Sequence, residues 1–517
     1  MKKNYLYVAV FFSGMTALAV ELSASRLIGN IYGSSNLVWA SVIGLILIYL
    51  TAGYWLGGKI SDKRPSYRTF YGILMWASLS VGFVPMVSRP ILRYTANAFD
   101  QMQIAVLAGA FMTILLLFVV PVTLIGMVSP FALKMALKDS KTAGKVSGRL
   151  SAISTIGSFI GTFLPVLVLI PLIGTYRTFL FFSSLLMIIA IIGYVITVDF
   201  NSWLRYSWMP ILLILLWIFG TKGVDKLTDS MIFETESSYN YIQVIEKDSF
   251  RYLRTNEGQG LHSVYHPTEI NYFGPWSQAL VAPFFNSYPH LLDSVNRMAI
   301  IGLAGGTTAR QASMVFDEIL IDGFEIDPKI VEVGRQYFGM NQPNLAVHIE
   351  DGRWGLAHID QMYDVISIDA YRPPYIPWHL TTVEFFTIVN DHLTEDGVLS
   401  INIGRSPLDR TLVNDLGTTV GEVFPSIFIM DIPDSFNTIL FATKQPGSWV
   451  DFHLNFNMLL HMDVEPLLLD AMAMTINNQQ SLPKTTQVYT DDRAPIEWLT
   501  NKLVVDFILS GGMESYQ

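Results

Sequence analysis

The sequence predicts a multispanning α-helical membrane domain fused to an α/β Rossmann-like domain. Three observations predict it. Only 15% of the 517 residues are charged and 51% are hydrophobic, whereas a soluble chain carries roughly 25% charged residues. Residues 1–221 contain 16 Lys and Arg against 5 Asp and Glu, a net charge of +11, whereas residues 222–517 contain 17 against 38, a net charge of −21. The second part also alternates apolar strands with amphipathic helices, which is typical of a doubly wound sheet.

The first part holds six apolar runs, each close to or longer than the roughly 20 residues that cross a bilayer as a helix. They lie at about 5–28, 36–58, 69–88, 103–128, 150–172 and 175–198. A seventh run, 206–220, is shorter and contains Pro210. We therefore assign residues 1–221 to a transmembrane domain of six or seven helices.

The basic residues of this part predict its orientation. They cluster before the first run, at 59–68 and at 134–149. All three clusters fall on one side if every run spans, and basic loops stay in the cytoplasm. The N-terminus is therefore predicted inside, and the chain is inside again after the sixth run. The seventh run then decides the side of the second part: a full crossing places it outside, and an interfacial helix keeps it in the cytoplasm.

Residues 222–296 are predicted to form a linker and a small β-hairpin region. Tyr239–Glu246 and Phe250–Thr255 alternate in polarity around a short polar turn and are expected to pair as the hairpin. Residues 446–517 are predicted to form a C-terminal extension.

Residues 297–445 are predicted to form the α/β domain, with seven strands. The strands are expected at 298–303, 319–325, 345–349, 363–369, 397–403, 426–431 and 437–443. Helices are expected at 307–316, 328–338, 379–393 and 409–423. Only Ile432–Phe436 separate the last two strands. Because that connection is too short for a parallel crossover, the last strand is predicted to be antiparallel.

Four consecutive strands end in residues that suit a nucleoside. The first ends in a turn from Gly302 to Gly306, where small residues allow close backbone approach to a ligand. The second ends at Glu325, 23 positions after Gly302, where a carboxylate can accept hydrogen bonds from both ribose hydroxyls. The third is followed by Asp351 and Gly352, and the fourth ends at Asp369. Since ligands bind at the carboxyl ends of such strands, an adenosine-containing ligand is predicted.

Several other classes of function are disfavoured. Position 304 is Ala and position 307 is Thr, so the dinucleotide motif G-x-G-x-x-G is not met. The chain contains no cysteine, and its nine histidines form no close pair, so no metal site is predicted. The net charge of −21 in the second part disfavours nucleic-acid binding. Asp327, before Pro328, is expected to be only a helix cap.

Residues from about 234 to 445 resemble the spermidine synthase (polyamine aminopropyltransferase) family. The resemblance rests on the segments ESSYNYIQVIE, NEGQG, IIGLAGGTTARQ, FEIDP, EDG, YDVISIDAY and LTEDGVLSINI. The first 200 residues are similar to the multispanning region fused to such domains, in GMVSPFALKMAL and SGRLSAISTIGSFIGTFLP. The C-terminal TDDRAPIEWLT at 490–500 also resembles a segment of these fused proteins. The resemblance implies an enzyme that transfers an aminopropyl group to an amine and releases methylthioadenosine.

The resemblance also implies the roles of individual residues. The donor would be S-adenosylmethionine or its decarboxylated form, with no metal. Glu325 would hold the ribose and Asp351 the adenine amino group. The residues implied to line the rest of the donor pocket are Gln259, Gly302, Gly305, Gly306 and Gly352. Asp369 would be the catalytic acid–base residue, because a carboxylate can take the proton of the attacking amine.

The chain departs from the family on the acceptor side. Gly305 replaces an Asp, and Arg372 replaces the second acid of the loop after the fourth strand. Trp276-Ser277-Gln278 stands where the family has Tyr-His-Glu, and Asn240 where it has Gln. Tyr371 and Arg372 are assigned to the substrate pocket, and Arg372 would attract an anion such as the carboxylate of intact S-adenosylmethionine.

Two alternatives therefore stay open. The same fold could act on intact S-adenosylmethionine by methyl transfer or intramolecular breakdown, or the chain could be a transporter or sensor gated by a nucleoside. The expected partners are a small amine or S-adenosylmethionine-derived substrate and the lipid bilayer, with a homodimer as a possibility. Since both donors are made in the cytoplasm, we expect a multi-pass protein of the cell membrane with its catalytic domain in the cytoplasm.

Overall fold

The computed structural model describes residues 2–32, 36–99, 104–137, 139–221, 223, 228–256, 260–371, 376–405, 409–496 and 498–499. The chain divides into two compact units, Met1–Leu227 and Thr228–Gln517. Gln259 and Arg372, which the sequence assigns to the donor and substrate pockets, lie outside the described residues.

The first unit is helical. Its helices are α1 (Lys2–Tyr32), α2 (Asn36–Lys63), α3 (Tyr67–Phe99), α4 (Ile104–Gly126), α5 (Val128–Ala136), α6 (Ala143–Leu164), α7 (Ile170–Ile173), α8 (Thr175–Thr197), α9 (Phe200–Trp203) and α10 (Trp208–Leu215). Among the described residues, six stretches are long and apolar enough to cross a membrane: Asn4–Tyr32, Val38–Lys63, Tyr67–Leu92, Gly109–Ala136, Ala143–Ile173 and Thr175–Thr197. Each of the six apolar runs of the sequence thus corresponds to one of these stretches.

The helices of this unit approach each other closely at glycines. On α6, a Cβ at Gly157 would lie 2.1 Å from the carbonyl oxygen of Phe11, and one at Gly161 would lie 2.0 Å from that of Met15. Both carbonyls belong to α1. The α1–α6 contact therefore depends on two glycines spaced four residues apart, the spacing that allows close helix packing in apolar surroundings.

The seventh apolar run is a bent helical pair. Phe200–Tyr206 and Trp208–Gly220 meet at an angle of 42°. Only when the two are taken together are they long and apolar enough to cross a membrane. That this pair does not cross a membrane fully stays a prediction.

The second unit begins with a four-stranded antiparallel sheet. Its strands, in the order in which they pair, are β1 (Met231–Glu236), β2 (Tyr241–Lys247), β3 (Phe250–Thr255) and β4 (Ser263–Tyr265). The predicted hairpin is confirmed as β2 and β3, joined by Asp248 and Ser249 at φ of 53° and 68°. Two central residues with positive φ are the type I′ geometry that matches strand twist. The prediction missed β1 and β4, which extend the hairpin on both sides.

The main sheet has eight strands. They are β5 (Arg297–Ile301), β6 (Leu320–Phe324), β7 (Leu345–His348), β8 (Tyr363–Ile368), β9 (Leu393–Gly404), β10 (Ser426–Asp431), β11 (Asn437–Thr443) and β12 (Gln479–Gln480), in the order β12-β10-β11-β9-β8-β5-β6-β7. Strands β5 to β9 pair in parallel, and β11 is antiparallel to both of its neighbours. This is a methyltransferase-like Rossmann fold with a mixed sheet. The seven predicted strands are confirmed, whereas β12 is too short to leave a pattern in the sequence.

Helices cover both faces of this sheet. They are α11 (Thr307–Val315), α12 (Pro328–Tyr337), α13 (Gly352–His358), α14 (Val383–Asp391), α15 (Thr411–Val420), α16 (Trp449–Leu459) and α17 (Pro466–Asn477). The four predicted helices correspond to α11, α12, α14 and α15. Helix α14 begins later than expected, because Trp378–Leu380 form a separate 3₁₀ turn and Thr382 caps the helix.

Successive side chains of β5 are buried on opposite faces of the main sheet, so both faces need a covering layer of helices. Met298 and Ile300 are buried in one apolar core, and Ala299 and Ile301 in the other. Because successive side chains of a strand point to opposite faces, a fully apolar strand needs a core on each side. This burial places β5 in the interior of the sheet and fixes the glycine turn that follows it at the carboxyl edge.

Candidate functional site

The glycine turn packs directly against the end of the neighbouring parallel strand. Gly302 follows β5 and has φ of +88°. A Cβ on this residue would lie 2.5 Å from the carbonyl oxygen of Asp369 and 2.7 Å from the amide nitrogen of Ala370. Only glycine fits this conformation and this approach. The turn and Asp369 are therefore neighbours, and Gly306, at φ of +82°, is the N-cap residue of α11.

Glu325 lies at the end of β6, against the same turn. Its Oε2 accepts a hydrogen bond from the amide of Ala304 at 3.0 Å, and its Oε1 accepts one from the amide of Asp327 at 3.0 Å. Only 8% of the residue is exposed, and burial raises the pKa of its carboxyl to about 7. Each carboxylate oxygen has a second lone pair, so the group can still accept hydrogen bonds from a ligand.

Asp327 caps α12, as predicted, by accepting a hydrogen bond from the amide of Lys329 at 2.9 Å. It also accepts hydrogen bonds from Ser237 Oγ at 2.6 Å and from Asn240 Nδ2 at 2.9 Å. Asn240 in turn accepts from Asn256 Nδ2 at 2.9 Å. The asparagine that replaces the family's glutamine therefore joins the small sheet to the cap of α12.

Asp351 caps the next helix, α13. Its Oδ1 accepts from the amides of Arg353 and Trp354, both at 3.0 Å, and its Oδ2 contacts Nε2 of His379 at 2.9 Å. The hydrogen bond to His379 is the main reason why the pKa of this carboxyl is lowered. Gly352 allows α13 to lie close to the sheet, because a Cβ there would be 2.4 Å from Ile301 Cγ2.

Asp369 follows β8 and is held by an asparagine pair that sequence analysis did not identify. Asn402 Nδ2 donates to Oδ1 of Asp369 at 2.8 Å, and Asn437 Nδ2 donates to Oδ1 of Asn402 at 2.8 Å. Burial raises the pKa of the Asp369 carboxyl to about 7, and the hydrogen bond from Asn402 opposes that rise. The result is a carboxyl that titrates near neutral pH and has a fixed orientation.

Tyr371 belongs to the same cluster. Its hydroxyl donates to the carbonyl oxygen of Asn402 at 3.1 Å. Burial, and then the nearby Asp369 carboxyl, raise the pKa of this phenol well above its ordinary value. Tyr371 is thus a neutral hydrogen-bonding group beside Asp369.

Two positions where the family carries acids have packing roles instead. The amide of Gly305 donates to Ser263 Oγ at 2.8 Å, and a Cβ there would lie 2.9 Å from Ser263 Cβ and 3.1 Å from Phe338 Cγ. Gln278 is fully buried in a 3₁₀ helix, Pro275–Phe285, and accepts from Thr475 Oγ1 at 2.7 Å. Neither position provides a negative charge. Within the described part of the chain, no group of three or more His, Asp or Glu residues could hold a metal ion.

Comparisons with known proteins match this part of the chain. Residues 293–451 match the family described as "Spermine/spermidine synthase domain". A "Probable polyamine aminopropyl transferase" of Bifidobacterium longum is 31% identical over 302 residues, which are 54% of this chain and 66% of that protein. A "Polyamine aminopropyltransferase" of Vibrio vulnificus is 30% identical over 224 residues, 41% of this chain and 72% of that protein. The crystal structure of spermidine synthase from Thermotoga maritima matches with a TM-score of 0.41 and 22% identity, covering 49% of this chain and 85% of that one.

Proposed function

This chain belongs to the spermidine synthase family of aminopropyltransferases, and we propose that its second unit transfers an aminopropyl group from decarboxylated S-adenosylmethionine to an amine. The amine lone pair attacks the carbon attached to the sulfonium. The carbon–sulfur bond breaks, its electron pair stays on sulfur, and methylthioadenosine leaves. The amine loses one proton, which needs an acceptor at neutral pH.

The observation that carries the proposal is the Asp369 carboxyl. It lies beside the glycine turn, Asn402 orients it, and burial raises its pKa to about 7. A base whose pKa lies near the working pH is both available in its ionised form and strong enough to take a proton. In this proposal Asp369 accepts the proton of the attacking amine, and Tyr371 helps to close the acceptor side of the site.

The other strand ends are assigned to the donor. Glu325 would accept hydrogen bonds from the ribose hydroxyls, because its oxygens keep free lone pairs beside the glycine turn. Asp351 would accept the adenine amino group, with Gly352 at its side. Gly302, Gly305 and Gly306 would pass beneath the sulfonium chain, and Gln259 is assigned to the same pocket on the family resemblance alone.

Identification of the products tests the proposal. The purified full chain is incubated with decarboxylated or intact S-adenosylmethionine, with and without a panel of mono- and diamines, and the products are identified by mass. We expect methylthioadenosine and an aminopropylated amine, both dependent on the decarboxylated donor and the amine. Absence of methylthioadenosine from every mixture would refute a transferase of this kind.

Substitution of the base tests the assigned residue. Asp369→Asn keeps the shape and an acceptor for Asn402 but removes the ionisable group, so we expect turnover to fall by roughly 10²–10⁴ with donor affinity changed by only a few-fold. Asp360→Asn is the matched control, since Asp360 is exposed and precedes β8 at the opposite edge of the sheet. Full turnover in Asp369→Asn would show that the chemistry does not run through this carboxyl.

A second candidate keeps the site and changes the donor. Gly305 and Gln278 supply no negative charge for an ammonium group, and an unpaired buried charge is costly. Intact S-adenosylmethionine is then the donor, for methyl transfer or intramolecular breakdown. Methylthioadenosine that forms from the intact donor without any amine would favour breakdown, whereas a methylated amine together with S-adenosylhomocysteine would favour methyl transfer.

A further inference from the structure

Residues 490–493 of the C-terminal motif form a turn that is held against helices α14 and α15. Thr490 and Arg493 close the turn through two backbone hydrogen bonds of 3.1 and 2.9 Å. Tyr489, which precedes it, is fully buried. Its hydroxyl donates to Asp415 Oδ2 at 3.1 Å, and its carbonyl oxygen accepts from the amide of Val383 at 3.0 Å. The position of the turn beside α14 and α15 is therefore set by a buried anchor.

The turn presents Asp491 to Arg353 of α13. Nη1 and Nη2 of Arg353 donate to Oδ1 and Oδ2 of Asp491, each at 2.7 Å. Thr382 Oγ1 donates to Oδ1 of Asp491 at 2.7 Å, and the amide of Asp491 donates to Glu384 Oε2 at 3.0 Å. A two-pronged pair of this kind fixes the plane of the guanidinium as well as its position.

Arg353 connects this pair with Asp351 by two routes. Its own amide donates to Oδ1 of Asp351 at 3.0 Å. Its Nη1 also donates to the carbonyl oxygen of His379 at 3.0 Å, and the ring of that histidine contacts Oδ2 of Asp351 at 2.9 Å. Asp491 thus acts on both partners of the carboxylate that is assigned to the adenine.

We infer that Asp491 is a positioning residue for donor recognition, which occupies the guanidinium of Arg353 and so keeps the Asp351 carboxylate available to the adenine amino group. The inference rests on the proposed function, because it needs an adenosine ligand at Asp351. Without Asp491, the cation of Arg353 would be left beside Asp351 and Glu384 and would compete with the ligand for these oxygens.

A purely stabilising role and a positioning role predict different results when Asp491 is lost. The side chain of Asp491 is 39% exposed and that of Arg353 is 20% exposed. Exposed ion pairs add little to the free energy of unfolding. Loss of Asp491 should therefore shift Tm by no more than about 3 °C, while it changes the ability of the site to distinguish adenine from a base without the amino group.

The experiment compares two product-like nucleosides on the full chain. Binding of methylthioadenosine and of methylthioinosine, which lacks the amino group, is measured by calorimetry for the wild type, Asp491→Asn and Asp491→Glu. Asp492→Asn is the matched control, because it removes the same charge from the next, exposed residue of the turn. We expect Asp491→Asn to lower the affinity for methylthioadenosine about tenfold, as for loss of a hydrogen bond to a charged group. The affinity for methylthioinosine should stay within about twofold of the wild-type value. Asp491→Glu should restore part of the preference.

The possible results distinguish a failure of the positioning role of Asp491 from a failure of the proposed function. An unchanged ratio of the two affinities in Asp491→Asn, or the same fall in Asp492→Asn, overturns the positioning role and leaves the proposed function intact. A wild type that binds both nucleosides equally overturns the assignment of Asp351 and the positioning role together, while donor binding stands. A wild type that binds neither nucleoside overturns the proposed function itself, and with it this inference.

Discussion

Three carboxyls lie at the ends of neighbouring strands, and the pKa of one of them shifts in the opposite direction from the other two. Burial raises the pKa of Glu325 and of Asp369 to about 7 in each case. The hydrogen bond from His379 lowers the pKa of Asp351. Such divergence among nearby groups is how one site assigns acid–base and binding tasks. Under the proposed function, Asp351 would stay ionised as an acceptor for the ligand amino group, whereas Asp369 would exchange a proton near neutral pH.

The Asp369–Asn402 hydrogen bond predicts a pH dependence. Asp369 must be ionised to accept a proton, so kcat/KM should rise as pH increases through about 7. Because Asn402 donates to the carboxylate, it favours the ionised form and holds the pKa down. Asn402→Leu should therefore move the rising limb to higher pH, measured as kcat/KM across about pH 5.5–9.

Ser400→Ala serves as the control for this change, because Ser400 is buried two residues earlier on the same face of β9. It should leave the limb in place. If an active Asn402→Leu variant keeps the rise of kcat/KM at the wild-type pH, a group other than Asp369 causes that rise.

At the scale of elements, the pattern of apolar strands was enough to predict seven strands of the main sheet, and the short connection between the last two predicted their antiparallel pairing. Helix α13 was missed because its sequence favours packing over helix formation. It contains Gly352 and Gly355, and a Cβ at these positions would lie 2.4 Å from Ile301 and 2.5 Å from Phe324. Close packing on the sheet requires glycine at both positions, and glycine lowers helix propensity. The sequence of α13 therefore does not indicate a helix.

The residues of the candidate site that directly follow strands could be predicted from the sequence. Pairs of residues that are far apart along the chain could not. Asn402 could have been found, because it is a polar residue near the end of a strand that pairs with β8. The pairs Asp351–His379 and Arg353–Asp491 join residues 28 and 138 positions apart. Neither spacing has a local pattern, because the partners meet only through the tertiary fold.

The glycine turn leads to a prediction about the element as a whole. Gly302→Ala places a methyl group 2.5 Å from the carbonyl oxygen of Asp369, in a conformation with φ of +88°. The ends of β5 and β8 must then separate, which should cost about 1–3 kcal/mol of unfolding free energy and abolish donor binding at micromolar concentrations. Thermal unfolding and calorimetry on the full chain would measure both.

The control is Gly421→Ala at the end of α15, where φ is −66° and the nearest atoms lie 3.3 Å from an added Cβ. It should leave donor binding unchanged. Normal donor binding by a folded Gly302→Ala variant would mean that the turn does not form the floor of the site.

At the scale of the whole molecule, two units of opposite charge share one chain. Residues 1–221 carry a net charge of +11 and residues 222–517 one of −21, and among the described residues of the first unit six helical stretches are long and apolar enough to cross a membrane. If all six cross, the chain returns to the side on which it began, and the basic clusters predict that this side is the cytoplasm. The bent pair Phe200–Tyr206 and Trp208–Gly220 is the element that decides the side of the second unit.

We predict that this pair lies in the membrane interface and that the second unit faces the cytoplasm, where both possible donors are made. The chain contains no cysteine, so one introduced cysteine reports its own location without further engineering. Asp360→Cys marks an exposed position of the second unit, and Gly144→Cys marks an exposed position with free space beside the basic cluster at 134–149. Ser34→Cys lies between the first two apolar runs of the sequence, on the side predicted to be external.

A maleimide that cannot cross membranes is added to intact and to permeabilised cells. Ser34→Cys should react in both, whereas Asp360→Cys and Gly144→Cys should react only after permeabilisation. Reaction of Asp360→Cys in intact cells, with Gly144→Cys still protected, would mean that the bent pair crosses fully. The catalytic unit would then be separated from cytoplasmic S-adenosylmethionine and its decarboxylated form, and the donor would have to reach the site through or across the membrane.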